Sequence, residues 1–286
     1  MNPWRRYAPV WQRRAATTIG AVLIGLVALA FAGAADVAQE GFGWLVARWP
    51  LLPLALTPAA YALIAWVTRK LAPEARSSGI PQVIAATHNA ESETNERLTS
   101  LKTAAVKLVM TVLALGAGGS VGREGPTVQI SAAIMNATHR LFRVPLTAAV
   151  TIAGGAAGVS AAFNTPLAGV AFAIEELASA YEQRLALLTM AAVLISGLVS
   201  LGIAGDYLYF GAVHESLSLK AALVIAPVAG VAGGLLGGLF SRIVLWFTFS
   251  AAAPIRAIRA RPVLWAASAG LAIAVIGVAG AGLTWG

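Results

Sequence analysis

The sequence contains no cysteine, so neither a disulfide framework nor a thiolate nucleophile or metal ligand can be built from it. Its three histidines, His88, His139 and His214, are scattered without a metal-binding spacing. No metal and no cofactor is expected. Charge is scarce as well: charged residues are 11% of the chain and hydrophobic residues 58%, against about 25% and about 45–50% in soluble domains. A water-soluble surface cannot be made from that composition. Neither a nucleophile and base pairing nor a P-loop is found, which argues against an enzyme.

What is present is apolar sequence in runs of membrane length. Stretches at 15–36, 51–68, 101–119, 126–142, 145–163, 166–178, 184–204, 218–250 and 262–283 read as membrane helices, because about 17–25 apolar residues cross a bilayer core. The partner of most of the surface is therefore the lipid bilayer. A short element at 80–88 and the 166–178 segment are brief for a crossing and read as re-entrant or half helices. The only strongly polar linker is THNAESETNERLTSLK at 87–102, read as a solvated loop. The basic start resembles a signal peptide, but its apolar run exceeds a typical h-region and is read as a retained first span.

A formal net charge of +8 raises nucleic acid as a partner, but the basic residues form no single face or tail. They punctuate apolar segments at 5–14, 69–76, 97–102, 140–143 and 256–261, whereas 35–47 and 205–217 contain none. No nucleic-acid binding is expected. The positive-inside rule puts the basic group in the cytoplasm, with 1–14 a cytoplasmic N-terminal segment and the 205–217 loop outside. Trp11, Trp44, Trp49, Trp66 and Trp265 fall near helix ends, as an interfacial aromatic belt requires.

Three places combine a polar or Gly-rich interruption, a proline and a new apolar helix: SSGIPQ at 77–82, GREGPTVQ at 122–129 and FNTPLAG at 163–169. Pro81, Pro126 and Pro166 suit a first helical turn, where a missing N–H costs nothing. A helix N-terminus at membrane depth presents unpaired N–H groups and a positive dipole end, and an anion satisfies both. Arg123 and Glu124 stand in the second break, and ionisable residues at membrane depth are functional by default. The carboxylate of Glu124 can occupy the place of an anion. The helix dipole favours its charged form and desolvation its neutral form, which leaves it able to titrate as a gate. Glu175 and Glu176 follow the short helix from Pro166, at the end where the macrodipole disfavours acids. Ten residues at ~1.5 Å each put Glu176 about 15 Å from that helix start, toward the cytoplasm. It is either a proton entry point or a solvated loop-edge acid. Lys107, within the 101–119 span, either snorkels to the interface or points inward to attract anions.

On these residues the sequence resembles the CLC family of chloride channels and chloride/proton exchangers. The matching pieces are SGIP at 78–81, GREGPTVQI at 122–130 and AAFNTPLAGVAFAIEEL at 161–177, in the family's order and spacing. The resemblance implies an all-α membrane protein, a CLC-like bundle of tilted, re-entrant and half helices occupying 15–286, with a first repeat to about 205 and the start of an inverted second repeat at 218–286. It also implies an anion site at Ser78, whose hydroxyl contacts chloride, with Gly79, Ile80 and Pro81 beside it. Glu124 is implied as the external gate and Glu176 as the internal proton station that exchangers carry and channels usually lack. Arg123 and Lys107 remain sources of anion attraction. Chloride and protons are the implied partners, in a multi-pass protein of the bacterial plasma membrane.

Ser77 stands where the family usually has glycine. The chain also ends where most of the second repeat, including its chloride-binding tyrosine, is expected to follow. The sequence reads either as the N-terminal part of such a subunit or as a chain that pairs with a copy of itself, a homodimer, to close the pathway. Three functions remain open: chloride/proton exchanger, passive chloride channel, and non-transporting fragment or assembly subunit.

Overall fold

A computed structural model describes residues 9–88, 93–177, 183–205 and 218–280, and its regular elements are all helical. Among the described residues twelve α-helices follow one another: α1 Val10–Arg48, α2 Pro53–Leu71, α3 Ile80–His88, α4 Glu93–Leu98, α5 Leu101–Leu115, α6 Glu124–Leu141, α7 Ala148–Phe163, α8 Pro166–Phe172, α9 Gln183–Ala204, α10 Leu219–Phe249, α11 Ala253–Ala260 and α12 Pro262–Ala279. A 3-10 turn spans Pro73–Ala75, and a π-helical turn, Ala173–Leu177, continues α8. Among the described residues five helices are long and apolar enough to cross a bilayer: α1, the run Glu96–Leu115, the Leu187–Ala204 part of α9, α10 and α12.

Several boundaries differ from the reading of the sequence, each for a physical reason. The first helix runs to Arg48 rather than 36. Asp36 does not end it, because its carboxylate is matched by a cation on another element. The helix expected over 101–119 stops at Leu115, where a glycine-rich run begins and Gly118 takes φ 77°. The expected 126–142 helix starts two residues earlier, at Glu124. The segment expected at 166–178 divides into α8 and the π-helical turn. The short helix α4 occupies the stretch read as a solvated loop, and α11 lies between two predicted spans where no helix was expected. Residues 206–217, expected to form an outside loop, lie outside the described residues.

The core sits where α6 and α7 pack against each other and against α1 and α9. Most of α6 from Pro126 to His139 and nearly all of α7 are buried. Close approach is built on a glycine. A Cβ on Gly154 would fall 2.6 Å from the Met135 Cβ and 2.9 Å from the Ala132 Cα, closer than any real pair of side chains. Most polar groups inside this core are paired, as burial in an apolar medium demands, with Gln129 Oε1 and Thr189 Oγ1 the exceptions among the described residues. The Asn136 amide donates to Thr99 Oγ1 at 3.0 Å, and Thr151 Oγ1 donates to Asn136 Oδ1 at 3.1 Å. Against this body α12 returns to pack on α2, and α2 lies on α5. No residue of α10 is buried, and beyond Ala222 the helix is exposed throughout.

The order of helices carries a sidedness. Asn164 Nδ2, just past α7, donates to Gly205 O, just past α9, at 3.3 Å. The ends of α7 and α9 therefore share one face, opposite to the basic turn at Arg140 and Arg143. Reporter fusions at the N-terminus and after Gly286 should report opposite sides, the N-terminus cytoplasmic. Cytoplasmic signal from both would overturn this topology.

Candidate anion-binding site

Between α2 and α3 the backbone takes two left-handed steps, Ser77 at φ 65° and Gly79 at φ 118°. These turn the chain sharply before α3 begins. Side chains then hold the carbonyls of this turn in place. Arg76 Nε donates to Pro73 O at 2.8 Å, Gln129 Nε2 to Glu74 O at 3.2 Å, and Lys107 Nζ to Ser77 O at 2.5 Å. Gln82 serves both ends of the turn: its amide donates to Arg76 O, and its Oε1 accepts from the Gly79 N–H at 3.1 Å. That last bond caps the first turn of α3 from within, in the manner of a capping box. Gln129 also donates to Leu98 O at 2.8 Å, so one buried amide on α6 ties together both ends of the segment that carries α3.

The second break meets the first. A Cβ on Gly79 would fall 2.5 Å from Gly125 O, and one on Gly125 would fall 2.8 Å from Ser78 O. The backbones at the N-termini of α3 and α6 are therefore in direct contact, and only glycine fits at either side. Two positive dipole ends, each roughly +0.5 of a charge, converge there. Pro81 and Pro126 lie in the first turns, where the lost N–H has no helical partner to forfeit.

A cavity of about 690 Å³ opens beside this junction, lined mainly by apolar atoms from α2, α5 and α12. Ser78, Ile80, Lys107 and Glu124 all reach its wall, joined by Tyr61 and Thr68. Lys107 does not snorkel: it is 4% exposed and directed inward. The carboxylate of Glu124 folds back over Gly122, where even a methyl group would collide with its Oε2. This arrangement can hold a small anion with backbone N–H groups, a serine hydroxyl and a nearby cation, in competition with the Glu124 carboxylate.

Other residues singled out from the sequence stand elsewhere. Arg123 is the N-cap of α6, and its Nη1 donates to Asp36 Oδ1 at 2.7 Å and to Ala32 O at 3.2 Å. Its charge is largely answered by α1, so it is not the uncompensated anion attractor that adjacency in sequence suggests. Pro81 does not line the cavity. Glu176 is exposed within the π-helical turn and does not line it either. No residue of the third break lines the cavity, and Pro166 packs against Gly197 of α9. Asp36, Gln129 and Tyr61 were missed from sequence. A single acid at the end of an apolar run was the one available signal for Asp36.

Ser77 holds a left-handed conformation that costs a non-glycine residue roughly 1–2 kcal/mol. Ser77→Gly should therefore raise the melting temperature of the detergent-purified chain by a few degrees while keeping the Lys107 contact, which is to a carbonyl. An unchanged or lowered melting temperature would show that Ser77 is not strained.

A family model described as voltage gated chloride channel matches residues 60–285, well over half of the chain. A structure described as a slow cyanobacterial Cl−/H+ antiporter superposes with a TM-score of 0.75 at 23% identity, covering 95% of this chain and 64% of that one. A eukaryotic CLC transporter superposes with a TM-score of 0.71 at 23% identity, covering 93% of this chain and 50% of that one. The chain thus spans between half and two thirds of the lengths of these solved transporters. With most of its length matched by the family model and nearly all of it following the fold of CLC structures, the chain belongs to the CLC, or voltage gated chloride channel, family.

Proposed function

We propose that this chain carries the gate and one wall of a chloride pathway coupled to protons. The observation that carries the reading is the meeting of the α3 and α6 N-termini beside Lys107 and Glu124 on one cavity wall. Chloride binds at Ser78 and the N–H groups beginning α3 and α6. Charged Glu124 competes for the same place and yields it when protonated, so one proton is exchanged against anion passage. Glu176, on the π-helical turn, takes protons from the cytoplasmic side. Residues to about 205 form one repeat and 218–286 begin its inverted partner. The remaining wall comes from further sequence of the kind the solved relatives carry, or from a second copy in a homodimer.

A passive channel is the second reading, favoured by one fact: Glu176 is exposed and away from the cavity. Paired chloride and proton fluxes in liposomes separate the two. Glu124→Gln mimics the protonated gate and should leave chloride flux while ending proton movement. Glu176→Gln should likewise stop protons and spare the anion site. Proton transport at the wild-type ratio in Glu176→Gln would remove Glu176 as the proton station, whereas chloride flux without any proton movement in the wild type would remove the exchanger and leave the channel.

A further inference from the structure

We propose that the elbow joining α10, α11 and α12 binds the headgroup of an acidic phospholipid, with Arg256 and Arg261 as its cations. Past Glu215 the sequence contains no Asp or Glu, yet it carries Lys220, Arg242, Arg256, Arg259 and Arg261. Three of these arginines fall within 256–261, on and just after α11. That helix is two-faced. Ile255 is 3% exposed and Ile258 is half-buried, while Arg256 and Arg259, three residues apart and hence on one side, are exposed.

The arginines are used differently. Arg259 donates through both terminal nitrogens to Thr248 O and Ser250 O at the end of α10, where the negative end of the helix dipole favours a cation. Its charge is spent on the protein. The side chains of Arg256 and Arg261 make no hydrogen bond or ion pair among the described residues; the ion pairs found there are Arg123 with Asp36 and Arg140 with Glu96. No acid from their own stretch of sequence can answer them.

Depth and surroundings select the ligand. Both α10 and α12 are long and apolar enough to cross a bilayer, so the elbow between them lies at a membrane surface. Trp246 and Trp265, 60% and 44% exposed, bracket it as interfacial aromatics do. Phe247 and Phe249 at the end of α10 and Leu264 at the start of α12 are exposed as well. A soluble anion satisfies the cations but leaves these apolar faces uncovered. A molecule with an anionic phosphate head and apolar tails satisfies both, and basic residues near an acidic bilayer surface gain about fivefold in affinity each.

The test is native mass spectrometry of the full chain from micelles holding equal phosphatidylglycerol and phosphatidylcholine, and it requires no transport activity. The wild type should retain phosphatidylglycerol in preference. Arg256→Gln with Arg261→Gln should lower that preference roughly 10- to 30-fold. Arg256→Lys with Arg261→Lys should keep most of it. Arg140→Gln, which removes a cation already paired with Glu96 at 2.7 Å, should leave it unchanged. Should the glutamine pair fail to fold, the wild-type preference and the lysine pair still decide. Equal retention of both lipids by the wild type overturns the proposal, as does an equal loss in Arg140→Gln. Displacement of the lipid by millimolar inorganic phosphate would assign the site to a free anion and overturn the lipid.

Discussion

Two helix N-termini held in backbone contact are the constraint on which the rest of this structure depends. Unpaired N–H groups at membrane depth must find partners, and here the α3 and α6 ends can share one partner because glycine stands on each side of their contact. The surrounding residues follow from that requirement. Gln82 satisfies the Gly79 N–H from within the turn, and Gln129 and Lys107 pin the carbonyls before it. The cavity that Ser78 and Glu124 border adjoins the start of both helices, with Ile80 of α3 and Gly125 and Pro126 of α6 in its wall.

Electrostatics near the junction is divided between compensated and uncompensated charge. Arg123 stands next to Glu124 in sequence but is bound to Asp36 on α1, which ties the start of α6 to that helix. Lys107 is buried against a neutral carbonyl, so its charge is offset only by dipoles and by whatever occupies the cavity. Of these two cations only Lys107 lines the cavity, together with Arg69 and Arg76. Holding a buried cation without a carboxylate partner is costly, and an anion or the charged Glu124 relieves that cost.

Much of this was legible in the sequence because the relevant signals are local. The breaks at SSGIPQ and GREGPTVQ each announce a turn and a new helix within eight residues, and α3 and α6 start within them. The family resemblance of the same motifs extends to the fold. What remained hidden is what depends on distance along the chain. Asp36 and Arg123 are 87 residues apart, and Gln129 reaches carbonyls 55 and 31 residues away. A third proline break looked like the other two, yet tertiary packing sends Pro166 to α9. The first span was expected over 15–36, whereas α1 continues to Arg48 with Asp36 paired to Arg123. Serine at position 77 looked like a small departure from the family's glycine, and its left-handed φ gives that departure a physical meaning.

The central claim, that an anion is held between the first turns of α3 and α6, is open to direct observation. Crystals of the protein soaked in bromide and measured at the bromine absorption edge locate the ion without assuming any transport. An anomalous peak beside Ser78 and the N–H groups beginning α3 and α6, with greater occupancy in Glu124→Gln, is the predicted result. Anomalous peaks confined to sites away from both helix starts would contradict the account.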